Sequence, residues 1–178
     1  MTKQSSTSAD IQAMHQALGI PESYAVSCGL EYQPDCQLLV ATEIDVFGRQ
    51  PYLEKVAYSC WQKMQASALK EGVILQIVSA YRSAQYQKDL LQRKLDAGQD
   101  IKNILKVNAA PGYSEHHSGC ALDITSPGYE PLEEEFENSP AFDWLCQHAQ
   151  EFGFTLSFPR DNSSGVCYEP WHWKYTAQ

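Results

Sequence analysis

The run Gly119-Cys120-Ala121-Leu122-Asp123-Ile124 reads as a strand, and it constrains the fold more than any other segment. Alternate side chains of a strand share a face, so Gly119, Ala121 and Asp123 are expected to point the same way. Two small residues then leave room beside a carboxylate for an ion and a second molecule. His116 precedes this strand on a loop, where Pro111-Gly112 and Gly119 permit sharp bends.

The rest of the chain supplies what such a strand can pack against. Residues 1–8 read as a disordered tail, and a short helix over 9–18 carries Ile11, Met14 and Leu18 on one face. Leu38-Leu39-Val40 reads as a strand, with a second over Thr42 to Phe47. A long helix follows from about Pro51 to Glu71, with apolar residues such as Ala57, Trp61, Met64 and Ala68 at helical spacing. Val73 to Ser79 is a buried strand, and Ser83 caps a helix that runs to Asp96. A helical stretch at 100–106, an acidic loop at 126–138 and a helix from Ser139-Pro140 to Phe152 come next. Phe154 to Phe158 and Tyr168 to Tyr175 close the chain as two strands. At 178 residues this is the size of one domain, so residues 9–178 are expected to form a single α+β unit with a mostly antiparallel sheet.

Charge and composition exclude several partners. The formal net charge of −9 is the wrong sign for holding a phosphate backbone, so nucleic acid is not expected. No apolar run is long enough to span a bilayer, and the first residues lack the apolar stretch of a signal peptide. A cytoplasmic setting is the resulting expectation. The six cysteines have irregular spacings and no Cys-x-x-Cys, and are expected as free thiols.

Chemistry concentrates in two segments. One is Ser114-Glu115-His116-His117-Ser118-Gly119-Cys120-Ala121-Leu122-Asp123; the other is Glu169-Pro170-Trp171-His172-Trp173. A histidine between two tryptophans fits a packed core as well as a ligand role, but Glu169 three residues earlier adds a group seldom buried without purpose. His116, Asp123 and His172 together offer three N/O ligands that leave a fourth zinc position open, the layout of catalytic zinc. His117 is an alternative to His116. Glu169 is placed to take a proton from water attacking a carbonyl.

Ser-x-His-x-x-Gly-x-Ala-x-Asp followed by Glu-x-x-His resembles the VanY-like D-alanyl-D-alanine carboxypeptidases. These sit within the wider lysostaphin, D-Ala-D-Ala peptidase and sonic hedgehog group of zinc proteins. A third segment, Ser79-Ala80-Tyr81-Arg82-Ser83-Ala84-Gln85-Tyr86-Gln87, is similar to that family's Tyr-Arg-Ser-x-x-x-Gln. The resemblance implies an α+β fold whose central antiparallel sheet lines a zinc cleft. It implies zinc on His116, Asp123 and His172, with Glu169 as general base. Arg82 would stabilise the oxyanion, while Ser114 and Gln87 would bind carboxylate and peptide groups of the substrate.

The implied reaction is release of a C-terminal D-alanine from peptidoglycan stem peptides. Family members cut an L,D bond in tetrapeptides or a D-Ala-D-Ala bond in pentapeptides. A cytoplasmic enzyme would suit L,D cleavage in cell-wall recycling, since D,D cleavage there would destroy precursors. The competing readings are a D,D-carboxypeptidase, an endopeptidase, and a non-catalytic module that keeps the zinc fold to bind peptidoglycan. The acidic loop at 126–138 is a candidate rim for the cleft, or a solvated insertion.

Overall fold

The computed structural model describes residues 8–176. Apart from Ser8, the tail expected at residues 1–8 lies outside the described residues, and Ser8 itself opens helix α1 (Ser8–Leu18). A short helix α2 (Tyr24–Ser27), not foreseen, follows. Strands β1 (Leu39–Ala41) and β2 (Tyr52–Glu54) form a two-stranded antiparallel sheet.

The strand expected at Thr42 to Phe47 is a turn instead. Its alternation of Ile44 and Val46 with polar residues imitates a strand, but the Asp45 carboxylate accepts hydrogen bonds from the backbone of Phe47 and Arg49 and folds the chain back. The long helix also starts later than expected. Tyr52 to Glu54 pair with β1, and helix α3 (Lys55–Lys70) begins where the Glu54 carboxylate accepts from the N–H groups of Val56 and Ala57.

Helix α3 buries Ala57, Trp61, Met64 and Ala68, a stripe recurring every three or four residues, while Val56 and Leu69 stay exposed. That stripe packs on a four-stranded sheet made of β3 (Gln76–Ser79), β4 (Ala121–Thr125), β5 (Phe154–Leu156) and β6 (His172–Tyr175). The order is β3-β4-β6-β5 and every pairing is antiparallel, as the sequence led us to expect. β4 is central and all five of its residues are buried.

Helix α4 (Ala84–Asp96) begins at Ser83, whose hydroxyl accepts from the Tyr86 N–H. Helix α5 (Ile101–Ile104) is a single turn, shorter than the stretch read at 100–106. Helix α6 (Pro140–His148) starts at Ser139, which caps Phe142, and passes into a 3-10 turn ending at Phe152. A second, smaller core joins Leu18, Ile20, Leu91 and Ile104, so the N-terminal helices pack against α4. No described helix is long and apolar enough to cross a membrane.

Candidate metal centre

Asp123 sits in mid-β4, directly opposite His172 on β6. The register therefore makes one carboxylate and one imidazole cross-strand neighbours, with His172 Nδ1 3.1 Å from Asp123 Oδ1. His116 enters from the 3-10 turn Glu115–Ser118 that precedes β4. Its Nε2 stands 3.3 Å from Asp123 Oδ2. One ligand atom from each of His116, Asp123 and His172 lies within 4.8 Å of the others, and all three residues are buried.

The donor set fits a metal ion. His116 Nδ1 donates to the carbonyl of Ala80 at 2.6 Å, which leaves the Nε2 lone pair facing the cluster. That Nε2 is buried and has no hydrogen-bond partner. An orphaned buried acceptor is costly, and a cation would satisfy it. Two ligands about 2 Å from one shared ion stand about 3.3 Å apart in tetrahedral geometry, close to the spacing of His116 and Asp123.

Charges agree. Burial and the Arg82 cation push the His116 pKa down to about 4, keeping it a neutral ligand. Burial opposes charge on Asp123 too, but His116 and His172 outweigh it and hold the carboxyl ionised far below the usual carboxylate range. His172 moves the other way. Burial disfavours its charged form, yet hydrogen bonds to Asp123 and Glu115 raise it to about 10. The residues alone thus call for positive charge at this point, from a proton or from an ion.

The spacing of Glu169 and His172 has a local cause. Glu169-Pro170-Trp171-His172 is a tight turn in which the His172 N–H donates to the Glu169 carbonyl at 3.1 Å, with proline at its favoured second position. The turn carries the Glu169 carboxylate back to within 3.8 Å of His172 Nδ1. Burial, with Asp123 adding to it against the pull of His172, raises the Glu169 pKa to about 7.

Arg82 lies between β3 and α4, with a guanidinium nitrogen 3.9 Å from Asp123 Oδ2 and its Nε buried without a partner. It faces the cluster rather than a surface carboxylate. Ser114 and Gln87 are both buried in the wall of the same cleft, which measures about 420 Å³. Gln87 Nε2 donates to the Ala109 carbonyl at 2.8 Å, leaving its buried Oε1 free. The structure therefore brings all seven sequence-derived site residues to one cleft. Trp171 forms part of its wall, Trp173 is core, and Leu132 and Glu134 of the acidic loop line its edge.

Two readings change. Gly119 is not a strand residue clearing space for an ion; it turns the chain with φ of +70° just before β4. A Cβ there would meet the Glu54 backbone nitrogen at 3.0 Å, so its smallness admits β2, whose Glu54 N–H donates to the Gly119 carbonyl. His117 is also no ligand. Its Nε2 accepts from the Gly112 N–H and its Nδ1 donates to the Arg82 carbonyl at 2.6 Å.

Glu115 is the residue the sequence reading missed. Its carboxylate accepts from His172 Nε2 at 2.9 Å and from Lys174 at 3.2 Å, and these partners overcome burial to hold its pKa down at about 2. With Nε2 bonded to Glu115, His172 presents Nδ1 to the cluster. Glu115 stands beside His116 in the motif, and that adjacency was the signal available.

Residues 50–178 match the family model VanY, D-alanyl-D-alanine carboxypeptidase. The chain belongs to this family. YodJ of Bacillus subtilis (strain 168) is 34% identical over 131 residues, covering 71% of this chain and 47% of YodJ. This VanY-family chain thus spans about half the length of that relative. The LdcB LD-carboxypeptidase, solved for its recognition of peptidoglycan, superposes with a TM-score of 0.71 at 30% identity, covering 79% of this chain and 69% of LdcB. A vancomycin-resistance D,D-pentapeptidase VanY from the VanB-type cassette, in complex with Zn(II), gives 0.60 at 25% identity, covering 76% of this chain and 79% of that one.

Proposed function

We propose that this chain is a zinc-dependent carboxypeptidase that releases a C-terminal D-alanine from peptidoglycan stem peptides. The observation that carries the reading is the His116, Asp123 and His172 cluster, open to the cleft and flanked by Glu169 and Arg82. A pure binding module has no use for a buried carboxylate with a pKa near neutrality beside its metal ligands. The zinc in the VanY neighbour supports the choice of metal.

His116, Asp123 and His172 would hold the ion, and Ala80 and Glu115 fix the two imidazoles in the tautomers that ligation needs. Bound zinc supplies Lewis acidity, polarising a carbonyl and making water more acidic. Glu169 takes the proton from the attacking water and returns it to the leaving amine of D-alanine. Burial of its carboxylate beside the ligands favours its holding the proton between the two transfers. Arg82, whose buried Nε–H has no partner, would donate to the developing oxyanion, an effect worth about 3–4 kcal/mol for one such donor. Gln87 Oε1 offers an acceptor for a peptide N–H, and Ser114 a hydroxyl on the same wall.

Within this proposal the L,D bond of tetrapeptides is the favoured target, acting in cell-wall recycling. The likeness to the LdcB LD-carboxypeptidase, with a TM-score of 0.71, supports it, although the D,D-pentapeptidase VanY shares the fold. A cytoplasmic place of work belongs to the same proposal, and cell fractionation reads it directly. The test of function is incubation with tetrapeptide and pentapeptide stems, with and without chelator, followed by mass spectrometry. Chelator-sensitive loss of one alanine from the tetrapeptide is the expected result. Loss from the pentapeptide alone would make the enzyme D,D-specific, and loss from neither would favour a binding module.

A further inference from the structure

The cleft is lined by charges of both signs: Glu115, Glu134 and Glu169, with Arg82 and Lys94. Gln87 and Lys94 are seven residues apart on α4, two turns along one face. Long side chains on a helix lean toward its N-terminus, so the Lys94 stem runs back toward Gln87 and Arg82.

Residues 107–109 line the cleft beside Lys94. Gln87 donates to the Ala109 carbonyl, Lys94 Nζ donates to Asn108 Oδ1 at 3.1 Å, and Asn108 Nδ2 donates to the Ile104 carbonyl at 3.0 Å. The last bond fixes Asn108 with its oxygen toward the ammonium. An amide oxygen satisfies one of three ammonium donors and cancels none of the charge. No carboxylate among the described residues forms an ion pair with Lys94. Burial, with Arg82 close by, lowers its pKa, as befits a cation lacking a counter-charge.

A half-buried ammonium that lines a cleft and has no counter-charge is a receptor for an anion. We propose that Lys94 recognises the free α-carboxylate of the peptide's last residue. The assignment rests on the carboxypeptidase reading and deepens it. Gln87 Oε1, buried and unpartnered, then accepts from the N–H of that same residue. A chain continuing past that residue brings an amide instead of a carboxylate and leaves the ammonium without a counter-charge. Lys94 thereby selects chain ends over interior bonds.

Calorimetric binding tests this without turnover. Zinc-loaded Glu169→Gln protein is titrated with a D-alanine-terminated tetrapeptide as the free acid and as the C-terminal amide. The acid is expected to bind about tenfold more tightly than the amide. Adding Lys94→Met, which keeps the apolar stem, should weaken the acid about tenfold and leave the amide unchanged, while Lys94→Arg should stay within about threefold for both. Equal weakening of acid and amide, an unchanged acid, or no binding of either peptide would overturn the proposal. Binding as expected, by a wild-type protein that releases no D-alanine, would defeat the carboxypeptidase reading and leave the role of Lys94 standing.

Discussion

His116 and His117 are adjacent, equally buried and on one 3-10 turn, yet they face different worlds. On the His117 side every ring nitrogen is satisfied by backbone, through Gly112 and Arg82. On the His116 side one nitrogen is anchored to Ala80 and the other is left unpaired beside Asp123. Both anchors grip the loop from Ala80 to Arg82, so the pair fixes the position of Arg82 between them. The difference shows how one turn serves stability and chemistry together: a buried polar atom is completed where the fold needs it, and left incomplete where a ligand is to arrive.

The contrast can be broken most severely at His116. His116→Ala should abolish stoichiometric metal binding and lower turnover by about a thousandfold or more, read by metal analysis and D-alanine release. His117→Ala should instead cost about 2–3 kcal/mol of stability in denaturant titration, because it strands the Gly112 N–H and Arg82 carbonyl, while metal stoichiometry stays at that of the wild type. Glu115→Gln keeps a group of the same shape beside His172 but weakens its hold, and should reduce metal affinity about 10–100-fold in chelator competition.

The smallest effect concerns the cost of keeping Glu169 in place. In the metal-free protein burial raises its pKa from the ordinary 4.5 to about 7. The folded state therefore holds a proton that the unfolded chain has released between those values. The stability from this group is full below 4.5 and lost as pH rises through about 7. Glu169→Gln cannot ionise, so it should match the metal-free wild type at pH 4 and exceed it at pH 8; the full shift is worth about 3 kcal/mol, and solvent entering the cleft leaves about 1–2 kcal/mol of it.

Much of this was legible in the sequence because it depends on local rules. Ser83 and Ser139 marked helix starts through capping, and the stripe of Ala57, Trp61, Met64 and Ala68 announced its buried face. The ligands were legible because histidine and carboxylate at those spacings have few other uses. Partnerships between distant residues were not legible. Glu115 reaches His172 only because the β4–β6 pairing brings residues 57 apart in sequence together. Gly119 was misread because its neighbour across the gap, Glu54, lies on a strand hidden within what looked like a longer helix. Lys94 drew no notice because nothing in a helix pattern tells a solvated lysine from one lining a cleft.

The central claim is that Glu169 performs chemistry at a metal site it does not help to build. Turnover of a D-alanine-terminated tetrapeptide by Glu169→Gln protein, at a verified one zinc per chain, tests it most directly. The account predicts a fall of about a thousandfold or more with zinc retained. Turnover within about tenfold of the wild type at full zinc occupancy would contradict it.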